Sequence, residues 1–120
     1  MNHQVFVQSL MDWIDSNIEK KLNISEVAKK SGYSKWHLQR IFREYTNKTL
    51  AKYINDSKLE KASLELLNNN SILSVSLKYG FDSPQTFTRS FTKKFKISPA
   101  KWKKKHLHKS RKDVGMRTIF

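Results

Sequence analysis

The 120-residue chain carries 24 Lys and Arg against 10 Asp and Glu, a formal net charge of +14, and no cysteine. That length suits one domain or two very small ones, and without cysteine there is no disulfide framework, no thiolate nucleophile and no cysteine zinc site. No stretch approaches the ~18 apolar residues of a membrane helix. Asp12, Asp15 and Glu19 interrupt any signal-peptide pattern, so a soluble intracellular protein is expected.

Mean hydropathy is −0.69, but 14 aromatic residues are enough to build a core. The charge is uneven: residues 1–60 hold 10 basic and 7 acidic side chains, residues 61–120 hold 14 and 3. Eleven basic residues and no acid lie between Arg89 and Lys112, so a polyanion is the first partner to consider.

Three glycines, two prolines and long 3.6-residue periodicity predict an all-α protein of about seven helices. The first runs from about Gln4 to Lys20, with Val7, Leu10, Met11, Ile14 and Ile18 on one stripe. Asn23-Ile-Ser-Glu26 resembles a capping box and opens a short helix that stops at Gly32. A third helix spans about Ser34 to Tyr45, with Asn47 as its left-handed terminator. A longer one covers about Thr49 to Asn68, with Tyr53, Ile54, Leu64 and Leu67 expected inside. After the polar run Asn68-Asn69-Asn70-Ser71 come a helix ending at Gly80, another from near Ser83, and a last one from Pro99. A frayed basic tail is expected from about His106. The resulting organisation is a first helix-turn-helix subdomain at 5–48, a linker helix at 49–70, a second subdomain at 71–105 and a flexible tail at 106–120.

The chain repeats itself. Ala28-x3-Gly32-Tyr33 recurs 48 residues later as Ser76-x3-Gly80-Phe81, and beyond the turn Leu38, Arg40, Phe42 and Tyr53 match Phe87, Arg89, Phe91 and Trp102 at an offset of 49. Each unit is a short helix, a glycine turn and a second helix, the helix-turn-helix arrangement.

In the first unit Leu38, Ile41, Phe42 and Tyr45 form a complete inner stripe, leaving Trp36, Gln39, Arg40 and Arg43 outside. In the second, Phe87, Phe91 and Phe95 face inward and Gln85, Thr88, Arg89 and Thr92 outward. Gln pairs bidentately with adenine, Arg with guanine, and an apolar ring packs on a thymine methyl, so both faces suit base edges in the major groove. Lys35, Arg43, Lys93, Lys94 and Lys96 flank them as phosphate contacts.

These residues resemble the AraC/XylS family of bacterial transcription activators, and within it the small single-domain members. The resemblance is carried by Ser31-Gly32-Tyr33-Ser34-Lys35-Trp36-His37-Leu38-Gln39-Arg40 and Tyr79-Gly80-Phe81-Asp82-Ser83-Pro84-Gln85-Thr86-Phe87-Thr88-Arg89, and covers about residues 5–105. It implies a monomer with two recognition helices in successive major grooves of double-stranded DNA, recruiting RNA polymerase to stress and antibiotic-resistance genes in the bacterial cytoplasm. It assigns base contacts to Trp36, Gln39, Arg40, Gln85, Thr86 and Arg89, and phosphate contacts to Lys35 and His37. Thr88, on the outer face, joins the phosphate set.

Two features depart from the family pattern. Pro84-Gln85 stands where relatives usually carry two glutamines, so the helix should survive while the second half-site preference changes. The linker reads Asn55-Asp56-Ser57-Lys58 where relatives often carry arginines.

No cofactor, metal, membrane partner or small-molecule effector is expected. His106-x-His108 has no carboxylate or thiol partners nearby. Met1 directly before the first helix fits a stand-alone regulator controlled by its abundance. The competing possibilities are nonspecific polyanion binding and, more remotely, an enzyme. Paired carboxylates near a basic groove and a Gly-rich phosphate loop are both missing, so no enzymatic activity is expected.

Overall fold

A computed structural model describes residues 3–19 and 22–106; the expected tail, His108 included, falls outside them from residue 107 onward. Seven helices and no strand occur among the described residues: α1 (His3–Ser16), α2 (Ile24–Ser31), α3 (Lys35–Thr46), α4 (Leu50–Leu66), α5 (Ile72–Lys78), α6 (Pro84–Phe95) and α7 (residues 99–106). No helix there is long and apolar enough to cross a membrane. The chain divides into two compact units, Met1–Lys58 and Leu59–Phe120.

Local chemistry accounts for the helix ends. The Asn23 side chain accepts the Glu26 N–H at 2.9 Å, and Ser34, Ser71 and Ser83 likewise accept from His37, Ser74 and Thr86. At the far end of α2, Gly32 adopts φ 82°, where a side chain is disfavoured, and its N–H closes on the Ala28 carbonyl at 3.0 Å. Pro84 occupies the first turn of α6, where a missing N–H removes no helical bond, and the helix forms.

In the first unit Val7, Leu10, Ile14 and Ile18 are buried with Val27, Leu38, Ile41 and Phe42. Tyr53 is half-buried, and its hydroxyl donates to the Asp15 carboxylate at 3.1 Å. Burial, reinforced by the Asp15 charge, pushes the Tyr53 phenol up to about 12. The second unit is built on Phe87 and Phe91, both fully buried, with Leu59, Ala62, Leu66, Val75 and Tyr79. Trp102 of α7 closes it: the indole lies 5.8 Å from Phe91 and 5.2 Å from Phe95, and its N–H donates to the Ser63 carbonyl at 3.0 Å.

Several residues expected inside are not. Leu64 is 63% exposed because α4 does not keep one buried side, and Leu67, in the turn just past its end, is only half-buried. Leu50 and Ile54 are buried in the first unit, whereas the positions buried further on, Leu59, Ala62 and Leu66, belong to the second and do not continue the stripe that Leu50 and Ile54 begin at ~100° per residue. A stripe extrapolated from Tyr53 and Ile54 therefore reaches Leu64 on the wet side. Tyr45 is 48% exposed. It sits in the last turn of α3, where its ring meets only the edge of His3, at 6.4 Å, among the described aromatic contacts. The first helix ends at Ser16 rather than Lys20, and Lys20 lies outside the described residues.

Candidate nucleic-acid interface

Each unit presents one helix with the same local construction. Ser34 caps α3 and Ser83 caps α6, 49 residues apart; Leu38 and Phe87, then Phe42 and Phe91, are buried at that offset. The preceding turns use Gly32 at φ 82° and Gly80 at φ 74°, and the helices end in left-handed Asn47 at φ 60° and Lys96 at φ 67°. With the inner stripes anchored by these aromatic and aliphatic groups, the opposite stripes have to face solvent.

On α3, Trp36 is 73% exposed, a large apolar ring left in water. The Arg40 guanidinium carbon sits 5.3 Å from the centre of that ring, and one of its nitrogens is 3.8 Å from a Glu44 carboxylate oxygen. Both ion-pair side chains are more than half exposed, so the pair holds Arg40 only weakly. Gln39 is half-buried; Lys35 and Arg43 are exposed. His37 is half-buried, with its ring 5.0 Å from Tyr33, which itself packs on Phe6 at 5.0 Å.

On α6, Gln85, Thr86, Arg89, Thr92 and Lys93 are exposed and Thr88 is half-buried. The Thr86 hydroxyl lies 3.0 Å from the Ser83 hydroxyl, tying this residue to the helix cap. Arg89 has no ion-pair partner among the described residues. Lys94 is different: its ammonium is 3.6 Å from Glu60 and rests 5.6 Å from the Phe95 ring centre, with 22% of the side chain exposed. Gln85, Thr88, Arg89, Thr92 and Lys93 line one open concavity along the outer side of α6.

The structure thus brings Trp36, Gln39, Arg40 and Arg43 onto one face of α3, and Gln85, Thr88, Arg89 and Lys93 onto one face of α6. Lys94 is drawn aside by Glu60, a partner 34 positions away that no helical periodicity reveals. The Glu44 partner of Arg40, four residues on, is legible as a helical i, i+4 pair. Also unassigned from sequence are Lys48 and Lys52, which converge on the nearly buried Asp56 carboxylate at 3.4 and 3.1 Å. Their charge is half neutralised where they stand. Lys101, Lys104 and Lys105 on α7 are exposed with no ion-pair partner among the described residues. No cluster of three or more metal-ligating side chains occurs among those residues.

Comparison with known proteins agrees with this geometry. A family profile described as a helix-turn-helix domain matches residues 27–105. The chain is 44% identical over 104 residues to the regulatory protein SoxS of Salmonella typhimurium, covering 86% of this chain and 97% of that one. It is 39% identical over 105 residues to the multiple antibiotic resistance protein MarA of the same organism, covering 87% and 83%. Among solved structures, an AraC-type transcriptional regulator from Chromobacterium violaceum superposes with a TM-score of 0.79 at 26% identity, over 86% of this chain and 93% of that one. The DNA-binding domain of AdpA, solved with a target DNA, shares the fold with a TM-score of 0.81 at 18% identity, over 86% and 94%.

Proposed function

Since the chain belongs to the AraC family of helix-turn-helix DNA-binding transcription regulators, we propose that it is a monomeric activator whose α3 and α6 enter successive major grooves of one duplex. The observation that carries this is the matched pair of outer faces at an offset of 49, each with a planar or amide group and an arginine on a rigidly capped helix. With two reading heads in one chain, half-sites one helical turn apart, about 34 Å, need no dimer. Trp36, Gln39 and Arg40 read bases in one half-site and Gln85, Thr86 and Arg89 in the other. Lys35, His37, Arg43, Thr88, Lys93, Lys94 and Lys96 contact phosphates and set the salt dependence. The linker helix and its two flanking subdomains, at 49–70, 5–48 and 71–105, are the corresponding organisation. Recruitment of RNA polymerase to stress and multidrug-resistance genes, in the bacterial cytoplasm and without a small-molecule effector, completes the proposal; the likeness to SoxS and MarA supports it.

Selection of bound sites from random duplex DNA tests this directly. Two short preferred blocks about one turn apart are expected. A single block would mean that α6 makes no base readout, and no block at all would favour the second possibility, nonspecific polyanion binding. That alternative draws on Lys101, Lys104 and Lys105 of α7, which have no ion-pair partner among the described residues, and it requires excess random DNA to abolish all binding at physiological salt. Sedimentation of the complex on one site should show one chain per duplex; two would refute the monomer.

A further inference from the structure

The backbone at the end of α6 is in a conformation that its residue disfavours. Lys96 adopts φ 67° and ψ 7°, and its N–H closes the helix on the Thr92 carbonyl at 2.8 Å. For an L-residue with a Cβ, the left-handed region brings the side chain against the following carbonyl. The other non-glycine residues with positive φ among those described are Asn47 and Asn69, whose short polar side chains tolerate it. Asn47 does the same task in the first unit: at φ 60° its N–H bonds the Arg43 carbonyl at 2.9 Å. Two copies of one construction therefore end in different residues, and only the second uses one without the local compensation of Asn.

The position of Lys96 points to what offsets the strain. It is the residue that closes α6, directly after the helix that carries Arg89 and Lys93 on its outer face. It is exposed, and no acid pairs with its ammonium among the described residues, unlike Lys94 two positions earlier. Residues held in sparsely populated backbone conformations cluster at functional sites, where the surrounding structure holds them. We propose that Lys96 is a phosphate-binding residue kept against the conformational preference of its backbone, so that DNA affinity and folding stability oppose each other there. This rests on the DNA-binding reading of α6 and adds the antagonism between the two properties.

The test compares Lys96→Gly, Lys96→Asn and Lys96→Arg in the full chain, using urea unfolding and titration with a selected DNA site from 50 to 200 mM salt. Gly and Asn should raise the urea midpoint without changing the slope of the transition. Both should lower the salt slope of binding by about one, so that the affinity lost over that salt range shrinks about threefold. Arg keeps both the charge and the strain, and should match the parent chain in both measurements. A midpoint for Lys96→Gly at or below that of the parent would overturn the strain, and an unchanged salt slope would overturn the phosphate contact. Failure of the parent chain itself to bind duplex DNA would instead refute the underlying reading of α6, and is seen before any variant is measured.

Discussion

Glu44 offers the sharpest test of how Arg40 works. In the free protein the Arg40 guanidinium is shared between the Trp36 ring, at 5.3 Å, and the Glu44 carboxylate, at 3.8 Å. Two unit charges about 4 Å apart attract by only ~1 kcal/mol in water, and exposed i, i+4 pairs measure nearer 0.3–0.5 kcal/mol once side-chain ordering is counted. With 53% and 56% of the two side chains exposed, the lower figure applies. Glu44→Gln should therefore cost about 0.5 kcal/mol of folding stability or less, while freeing Arg40 for a base edge and tightening specific DNA binding about twofold at low salt. Part of any gain would come simply from removing a negative charge near phosphates, and a double-mutant cycle separates the two contributions. In an Arg40→Ala background the gain should fall by about that 0.5 kcal/mol, whereas a purely long-range effect would persist undiminished. Fluorescence titration of labelled duplex at two salt concentrations is sufficient. An undiminished gain in the Arg40→Ala background, or weaker binding by Glu44→Gln alone, would refute the claim that Glu44 holds Arg40 back.

Arg89→Ala removes the arginine proposed to read a base from α6, which has no ion-pair partner among the described residues, so it should cost about 1–3 kcal/mol in specific binding and relax preference at one position in a selection experiment. Equal binding to specific and random sites before and after substitution would count against it. Gly32→Ala places a methyl group in open space but leaves φ at 82°, so the loss should be the left-handed penalty alone, about 1–2 kcal/mol by urea unfolding; a much larger loss would mean that the turn packs more tightly than the structure shows. Tyr53→Phe probes alkaline stability. Because the phenol is raised from 10.0 to about 12, it contributes stability that is fully present below pH 10 and lost as pH rises through 12. For this half-buried group that is about 1 kcal/mol after solvent screening, so the parent chain should lose more stability than Tyr53→Phe between pH 9 and 12.

The features legible in sequence are those that local chemistry decides. Asn23, Ser34 and Ser83 announce helix starts because a short side-chain oxygen can reach a free N–H two or three residues on, and each does so. Gly32 and Gly80 announce turns because the backbone there needs positive φ. The exposed face of α3 follows by elimination once Leu38, Ile41 and Phe42 fill the inner stripe. Periodicity fails where burial changes sides within one helix, so Leu64, expected inside, lies on the wet side. It also fails in the last turn of α3, where Tyr45 is 48% exposed. Pairings across the fold, such as Lys94 with Glu60 or Trp102 with the Ser63 carbonyl, leave no periodic trace at all.

The +14 charge can now be divided by what each cation meets. Lys48 and Lys52 are spent on Asp56, Lys78 on Glu65 and Lys94 on Glu60, so these contribute less to any external partner than a count of basic residues implies. Arg89 and Lys93 on the outer side of α6, and Lys96 at its end, have no ion-pair partner among the described residues, whereas Arg40 on α3 is engaged twice. The two helices therefore differ in preorganisation. On α3 the arginine is already oriented by an aromatic plane, which narrows its geometry and favours selectivity. Along α6, Arg89 and Lys93 have no ion-pair partner among the described residues and Lys96 sits in a strained cap, which favours affinity and salt dependence. Base discrimination should accordingly be steeper in the half-site read by α3, and the salt slope should respond more to substitutions on α6.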